Sequence, residues 1–159
     1  MLVRFDDLEN KMRALEALED ARFMPGVFAV ARVDGRSFTR LTKEIANFEA
    51  PFDLRFSDYM AATALHLCNC GFQAIYAYTQ SDEISLLFRA EDETFQRKLR
   101  KWNSILASEA GAVFSLRLGM PAAFDCRIIP LPNKKSVHSR PTAKQKGDWR
   151  PTPHRVGLR

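Results

Sequence analysis

The chain has 159 residues, 46% hydrophobic and 27% charged, enough for one domain with a packed core. No stretch approaches the ~18 consecutive apolar residues of a membrane helix, and the N-terminal MLVRFDDLENK has no apolar signal core, so the expectation is a cytoplasmic chain with no membrane partner. Cys68, Cys70 and Cys126 are odd in number and lack paired CxxC spacing, which reads as reduced, packed thiols and argues against a four-ligand zinc site.

The net charge of +5 is unevenly placed. Residues 134–159 hold eight Lys or Arg against Asp148, a net of +7, leaving 16 basic and 18 acidic residues before them, a net of −2. Residues 1–133 are therefore expected to fold, and 134–159, with three prolines, to form a basic, disordered tail. Such a tail either binds nucleic-acid phosphates or is simply a solvated end.

From about Asp6 to Arg22, Leu8, Met12, Leu15 and Leu18 recur at helical spacing, with Asp6 or Asp7 as cap and Pro25-Gly26 as stop. VFAVARV, 27–33, reads as a buried strand ending at Asp34-Gly35. RSFTRLTKEIANFEAP is a long connection. A helix follows, with Phe52, Phe56, Tyr59 or Met60, Thr63 and Leu67 as its stripe and Gly71 at its end. FQAIYAYT and ISLLF are strands joined by a QSDE turn. Thr94 is expected to cap a helix with Phe95, Leu99, Trp102, Ile105 or Leu106, and Val113 inward. Gly119 to Pro121 break it, and FDCRIIPL, 124–131, is a last strand.

After the first helix the order is strand, helix, strand, strand, helix, strand. That is the ferredoxin-like βαββαβ unit of the α+β class, an antiparallel sheet with helices on one face, here with an extra N-terminal helix. In that topology the end of the first strand lies beside the start of the third. Asp34 is at one place and Asp82-Glu83 at the other, almost fifty residues on. Carboxylates that close repel unless a cation neutralises them. Oxygen ligands select Mg²⁺, with Mn²⁺ as substitute, and two such ions suit phosphoryl transfer. Gly35 lets backbone approach a metal or phosphate. The amides of Arg36, Ser37 and Phe38 form a potential triphosphate nest, and Lys98 and Lys101, with Arg97, offer charge to it. Each piece alone has an ordinary reading: Asp-Gly is a common turn, Ser-Asp-Glu is unremarkable in a hairpin, the Arg97–Lys101 run reads as a solvated helix face, and His66 as a satisfied helix histidine.

RVDGRSF, FEAPFDLRF (48–56), YTQSDEISLLF, FQRKLRKWNSILAS and FDCRIIPLP together resemble the tRNA-His guanylyltransferase family, including its bacterial and archaeal-type relatives that repair tRNA 5′ ends. The likeness covers roughly residues 1–133. It implies a palm domain, and 3′-to-5′ nucleotide addition to a tRNA 5′ end with GTP and ATP as nucleotides. Position by position it implies two metal ions on the carboxylates of Asp34 and Asp82 and the Gly35 carbonyl. It gives Glu83 a supporting catalytic place. Ser81, the amides after Gly35, Lys98 and Lys101 match triphosphate positions, and Asp53 a base-contacting one. A homo-oligomer, commonly a tetramer, is implied too. Two departures stand out: Ala50 where many members have Lys, and a sequence from Ser139 that leaves the family pattern. The latter raises the alternative of an impaired palm that binds only nucleoside triphosphate and metal. A nucleotide cyclase fits DGRSF and QSDE less well. An RNA-recognition module needs paired strand aromatics that VFAVARV and ISLLF do not supply.

Overall fold

A computed structural model of the chain describes residues 5–49, 53–131 and 154–156. The elements are α1 (Phe5–Leu18), β1 (Phe28–Gly35), a short helix α2 (Phe38–Arg40) that continues as a π-helical turn (Leu41–Ile45), α3 (Leu54–Asn69), β2 (Ala74–Gln80), β3 (Glu83–Phe88), a 3-10 turn (Thr94–Arg97), α4 (Leu99–Leu118), β4 (Phe124–Leu131) and a short β5 (His154–Val156). The sheet runs β4-β1-β3-β2-β5, antiparallel throughout. Its first four strands have the ferredoxin-like order expected from the sequence.

The face of each strand follows from its alternation. In β1, Ala29, Ala31 and Val33 are buried while Val30, Arg32 and Asp34 are half-buried. The buried set packs with Phe56, Met60, Ala64 and Leu67 of α3 and Trp102, Leu106, Ala110 and Phe114 of α4. Arg32 and Asp34 therefore look away from the two helices. The core has two aromatic groups. Phe23, Phe72, Phe88 and Trp102 gather at the start of β1, with Trp102 4.8–5.0 Å from the other three rings. Phe38, Phe56, Phe114 and Phe124 gather at its end, where Phe38 lies 4.9 Å from Phe124 and 5.1 Å from Phe114. Residues along α4 thus read off the length of the sheet, from Trp102 at one end to Phe114 at the other.

Some expectations change. The helix after Thr94 begins only at Leu99, because Phe95, Gln96 and Arg97 have positive φ (50°, 54° and 57°) and cannot continue a right-handed helix. Phe95 is accordingly exposed, and Phe114 rather than Val113 completes the buried stripe. The connection after β1 is partly helical. Asp34-Gly35 ends β1, as expected. The disordered tail expected over 134–159 does not hold for His154–Val156, which pair with Thr79–Ala77 of β2; the rest of it, with Ala50 and Phe52, lies outside the described residues. The three cysteines are free as expected, and burial pushes the Cys70 and Cys126 thiols up to about 11 and about 12. No helix among the described residues is long and apolar enough to cross a membrane.

Trp102 is fully buried and donates its Nε1–H to the Thr94 carbonyl at 2.7 Å. Trp102→Ala should cost about 3–5 kcal/mol in urea unfolding, whereas Trp102→Phe, which keeps most of the ring contact, should cost less.

Candidate active site

The strand register sets four polar side chains in a row on the face away from α3 and α4. Asp34 stands opposite Glu83 of β3 and Asp125 of β4, and Gln80 of β2 stands opposite Glu83. Directly opposed residues on antiparallel strands point to the same face, with Cα atoms about 4.5–5.5 Å apart. Two residues back, the next row is Arg127, Arg32, Ser85 and Tyr78. The site is a line of three carboxylates and an amide at one end of the sheet, bordered by a line of donors.

Two loops close that end. The Gly35 N–H donates to the Asp82 carbonyl at 2.9 Å, tying the DGRSF loop to the Ser81-Asp82 turn. Ser37 and Ser81 both adopt left-handed backbone (φ 59° and 54°), a conformation costing about 1–3 kcal/mol in a non-glycine residue and concentrated at functional sites. The Ser81 hydroxyl donates to Asp82 Oδ1 at 3.0 Å. A Cβ on Gly35 would meet the Phe38 ring at 2.5 Å. The absent side chain here makes room for Phe38, which holds the loop to the core. Of the three amides expected to cradle a triphosphate, that of Arg36 already donates to the Ala123 carbonyl at 2.8 Å. Those of Ser37 and Phe38 remain at the start of the helical stretch, where amides lack intrahelical acceptors.

Burial raises the Asp34 pKa from its ordinary value, and the negative charges of Asp82, Asp125 and Glu83 raise it further, against a smaller lowering by Arg127. A raised carboxyl pKa means that protonated Asp34 favours the fold, and that this contribution is lost as pH rises through the raised value. The crowding of like charge around Asp34 is a cost that a bound cation would remove. Glu83 is differently placed: Arg32 Nε donates to Oε1 at 2.9 Å, its terminal nitrogen bonds Oε2, and the Ser85 hydroxyl adds a third bond. Both Glu83 oxygens are thereby engaged, while Asp34, Asp82 and the exposed Asp125 opposite Asp34 make no ion pair among the described residues. Among the described residues no three or more His, Cys, Asp or Glu side chains stand together as a ready-made metal cage. Two carboxylates and a carbonyl is a donor set that suits Mg²⁺, which keeps waters and substrate phosphates in its shell.

Other expected site residues are elsewhere. Lys98 and Lys101 lie one turn or less from Trp102, which packs on Phe88 opposite Ala29, about 17 Å along β1 from Asp34 and so at the opposite end of the sheet. Lys98 pairs with Asp20 at 2.5 Å. Arg97 is buried, donating to the carbonyls of Met24 (2.6 Å), Val27 (3.2 Å) and Ala90 with its guanidinium over the Phe23 ring. Arg97 and Lys98 thus make structural contacts beside the break at residues 95–97, while Lys101 is exposed. Asp53 is buried at the start of α3, where it accepts from the amides of Glu49, Arg55 and Phe56 and from the Arg55 guanidinium. Its oxygens cap the helix. His66 is satisfied, as expected, 2.7 Å from Glu109. Asp125, Arg32 and Arg127 were missed by the sequence reading. The signal for them was the period-two alternation of FDCR and ARVD, which puts each on the face of Asp34 once β4 and β1 are paired.

Two substitutions probe this geometry. Gly35→Ala should cost about 1–3 kcal/mol, the usual penalty for overpacking, in thermal or urea unfolding. Asp53→Ala should cost about 1–2 kcal/mol at pH 7. The hydrogen bonds from Arg55 and the three amides hold the Asp53 carboxyl well below its usual range. Its contribution is thus present above the unfolded-state value of about 4 and is lost as pH falls below it, so the two proteins should converge in acid.

A family model described as tRNAHis guanylyltransferase matches residues 9–132. A probable tRNA(His) guanylyltransferase of Mus musculus is 32% identical over 123 residues, 72% of this chain and 41% of that protein. The tRNA(His) guanylyltransferase of Schizosaccharomyces pombe is 31% identical over 112 residues, 70% of this chain and 42% of that protein. The chain spans less than half the length of these curated relatives. The structure of a bacterial tRNA(His) guanylyltransferase-like protein in complex with GTP superposes with a TM-score of 0.73 at 28% identity, covering 79% of this chain and 59% of that one; a complex with ATP superposes similarly, at 0.72. The match of sequence over the palm and of strand order throughout it places the chain in the tRNAHis guanylyltransferase family.

Proposed function

We propose that the chain is a metal-dependent nucleotidyltransferase that adds nucleotides to the 5′ end of tRNA in the 3′-to-5′ direction, in tRNA-His guanylylation or 5′-end repair. The observation that carries this is the register that sets Asp34 against Glu83 while Gly35 N–H bonds the Asp82 carbonyl. It makes one site of two acidic loops.

Asp34 and Asp82, with the Gly35 carbonyl, would hold two Mg²⁺ ions, with Mn²⁺ as substitute. Bound there, the ions would supply activation of an attacking hydroxyl and stabilisation of a pyrophosphate leaving group. The chain's own residues do the rest. The Ser37 and Phe38 amides and the Ser81 hydroxyl are placed to receive the triphosphate of GTP or ATP. Arg32 holds Glu83 out of the ligand set. Phe38 keeps the loop against the core, so that the amides are oriented before substrate arrives. The setting is cytoplasmic, and the protein works as a homo-oligomer.

The test is incorporation of labelled GTP into a 5′-truncated tRNA. Asp82→Asn should lower metal-dependent incorporation by at least about 100-fold while leaving the fold intact. Full activity in that variant would remove the metal assignment. GTP binding without incorporation by the unaltered chain would favour the narrower reading of a palm that binds nucleotide and metal only.

A further inference from the structure

Among the described residues, nothing covers the apolar side chains of α1. Phe5, Leu8, Met12 and Leu15 are each half or more exposed, and no residue of the helix is buried. A 14-residue helix is at the length where helices in water are marginal, about 12–15 residues. An uncovered apolar seam along it needs a partner. The seam has the spacing of two helices lying side by side: positions 5 and 12, and 8 and 15, are each seven apart, the a and d places of two heptads. In that frame Glu9 and Glu16 flank one side and Lys11 the other.

We propose that α1 pairs with α1 of a second copy of this chain, parallel and in register. The flanking charges select the partner and its direction. In a parallel pair Lys11 of one copy faces Glu16 of the other, twice by symmetry. An antiparallel pair would set Glu9 against Glu16, like against like. Lipid and nucleic acid are poorer occupants. α1 carries Asp6, Asp7, Glu9 and Glu16 against Lys11 and Arg13, a net of −2 that anionic surfaces repel. The helix also hangs from a firm anchor. Asp20 pairs with Lys98 at 2.5 Å and Arg100 at 3.1 Å, and Phe23 N–H donates to the Arg97 carbonyl at 3.3 Å. That anchor is at the end of the sheet away from Asp34, so the carboxylate row and the helix anchor do not compete for space. The pairing is independent of the nucleotidyl-transfer reading and supplies a surface for the expected homo-oligomer.

The test is the mass of the full chain in solution by light scattering, without nucleotide or RNA. The unaltered protein should have at least twice the chain mass. Leu8→Asp with Leu15→Asp should halve it and leave the circular dichroism of the body unchanged, since neither side chain is buried. Lys11→Glu should weaken association several-fold, and Lys11→Glu with Glu16→Lys should restore it. Met12→Cys should cross-link copies on mild oxidation, because in a parallel, in-register pair each residue 12 meets its counterpart. A monomeric unaltered chain, a mass indifferent to the Asp substitutions, or an associated Met12→Cys protein that does not cross-link would each overturn the proposal.

Discussion

Everything at the candidate site depends on the antiparallel pairing of β1 with β3 and the side of the sheet that it assigns to each residue. A strand has only two faces, so a slip of one residue would send Asp34 under the helices and Val33 to solvent. What prevents the slip is apolar burial. Ala29, Ala31 and Val33 on β1, and Ile84, Leu86 and Phe88 on β3, are all nearly or wholly inaccessible beneath α3 and α4. The core thus aims the carboxylates. The Gly35–Asp82 hydrogen bond then locks the loops at the last rung.

The site end of the sheet gathers several unfavourable features in a small space. Asp34 is crowded by three like charges, and Ser37 and Ser81 are both left-handed. These costs are tolerated because the segment beneath is over-determined. Phe38 fills the space left by the missing Cβ of Gly35 and contacts Phe56, Phe114 and Phe124. Rigid packing directly under strained, like-charged loops is what a preorganised ligand site requires.

Basic residues divide by burial rather than by type. Arg97 is buried and satisfies carbonyls at the entrance to β1, while Lys98 and Arg100 grip Asp20. Arg32 is on the site face but is committed to Glu83. Arg127 is exposed on that face, close enough to lower the Asp34 pKa slightly. A positive charge near in sequence to a helix start was therefore a weak guide to which charges serve a ligand.

Element types, strand order and the meeting of Asp34 with Asp82-Glu83 were legible in the chain itself. Alternating and helical apolar spacing reports which side must be buried, and the βαββαβ order admits few topologies. The motifs also carried the family. What the sequence could not decide was which neighbouring group each polar side chain would meet. Asp53 caps α3 through the nearby Arg55 and Phe56 amides, and the chain folding back at Glu49 adds a third that spacing does not announce. Lys98 and Lys101 stand at the start of α4, at the end of the sheet away from Asp34, because β3 runs from Glu83 beside Asp34 to Phe88 beside Ala29 and delivers the chain there. Asp125 and the Arg32–Glu83 pair emerged only when β4 and β3 were laid against β1. Periodicity is a local property and survives in one dimension. Hydrogen-bond partners and charge neighbours depend on strands distant in the chain, and only the tertiary structure brings them within a few ångströms.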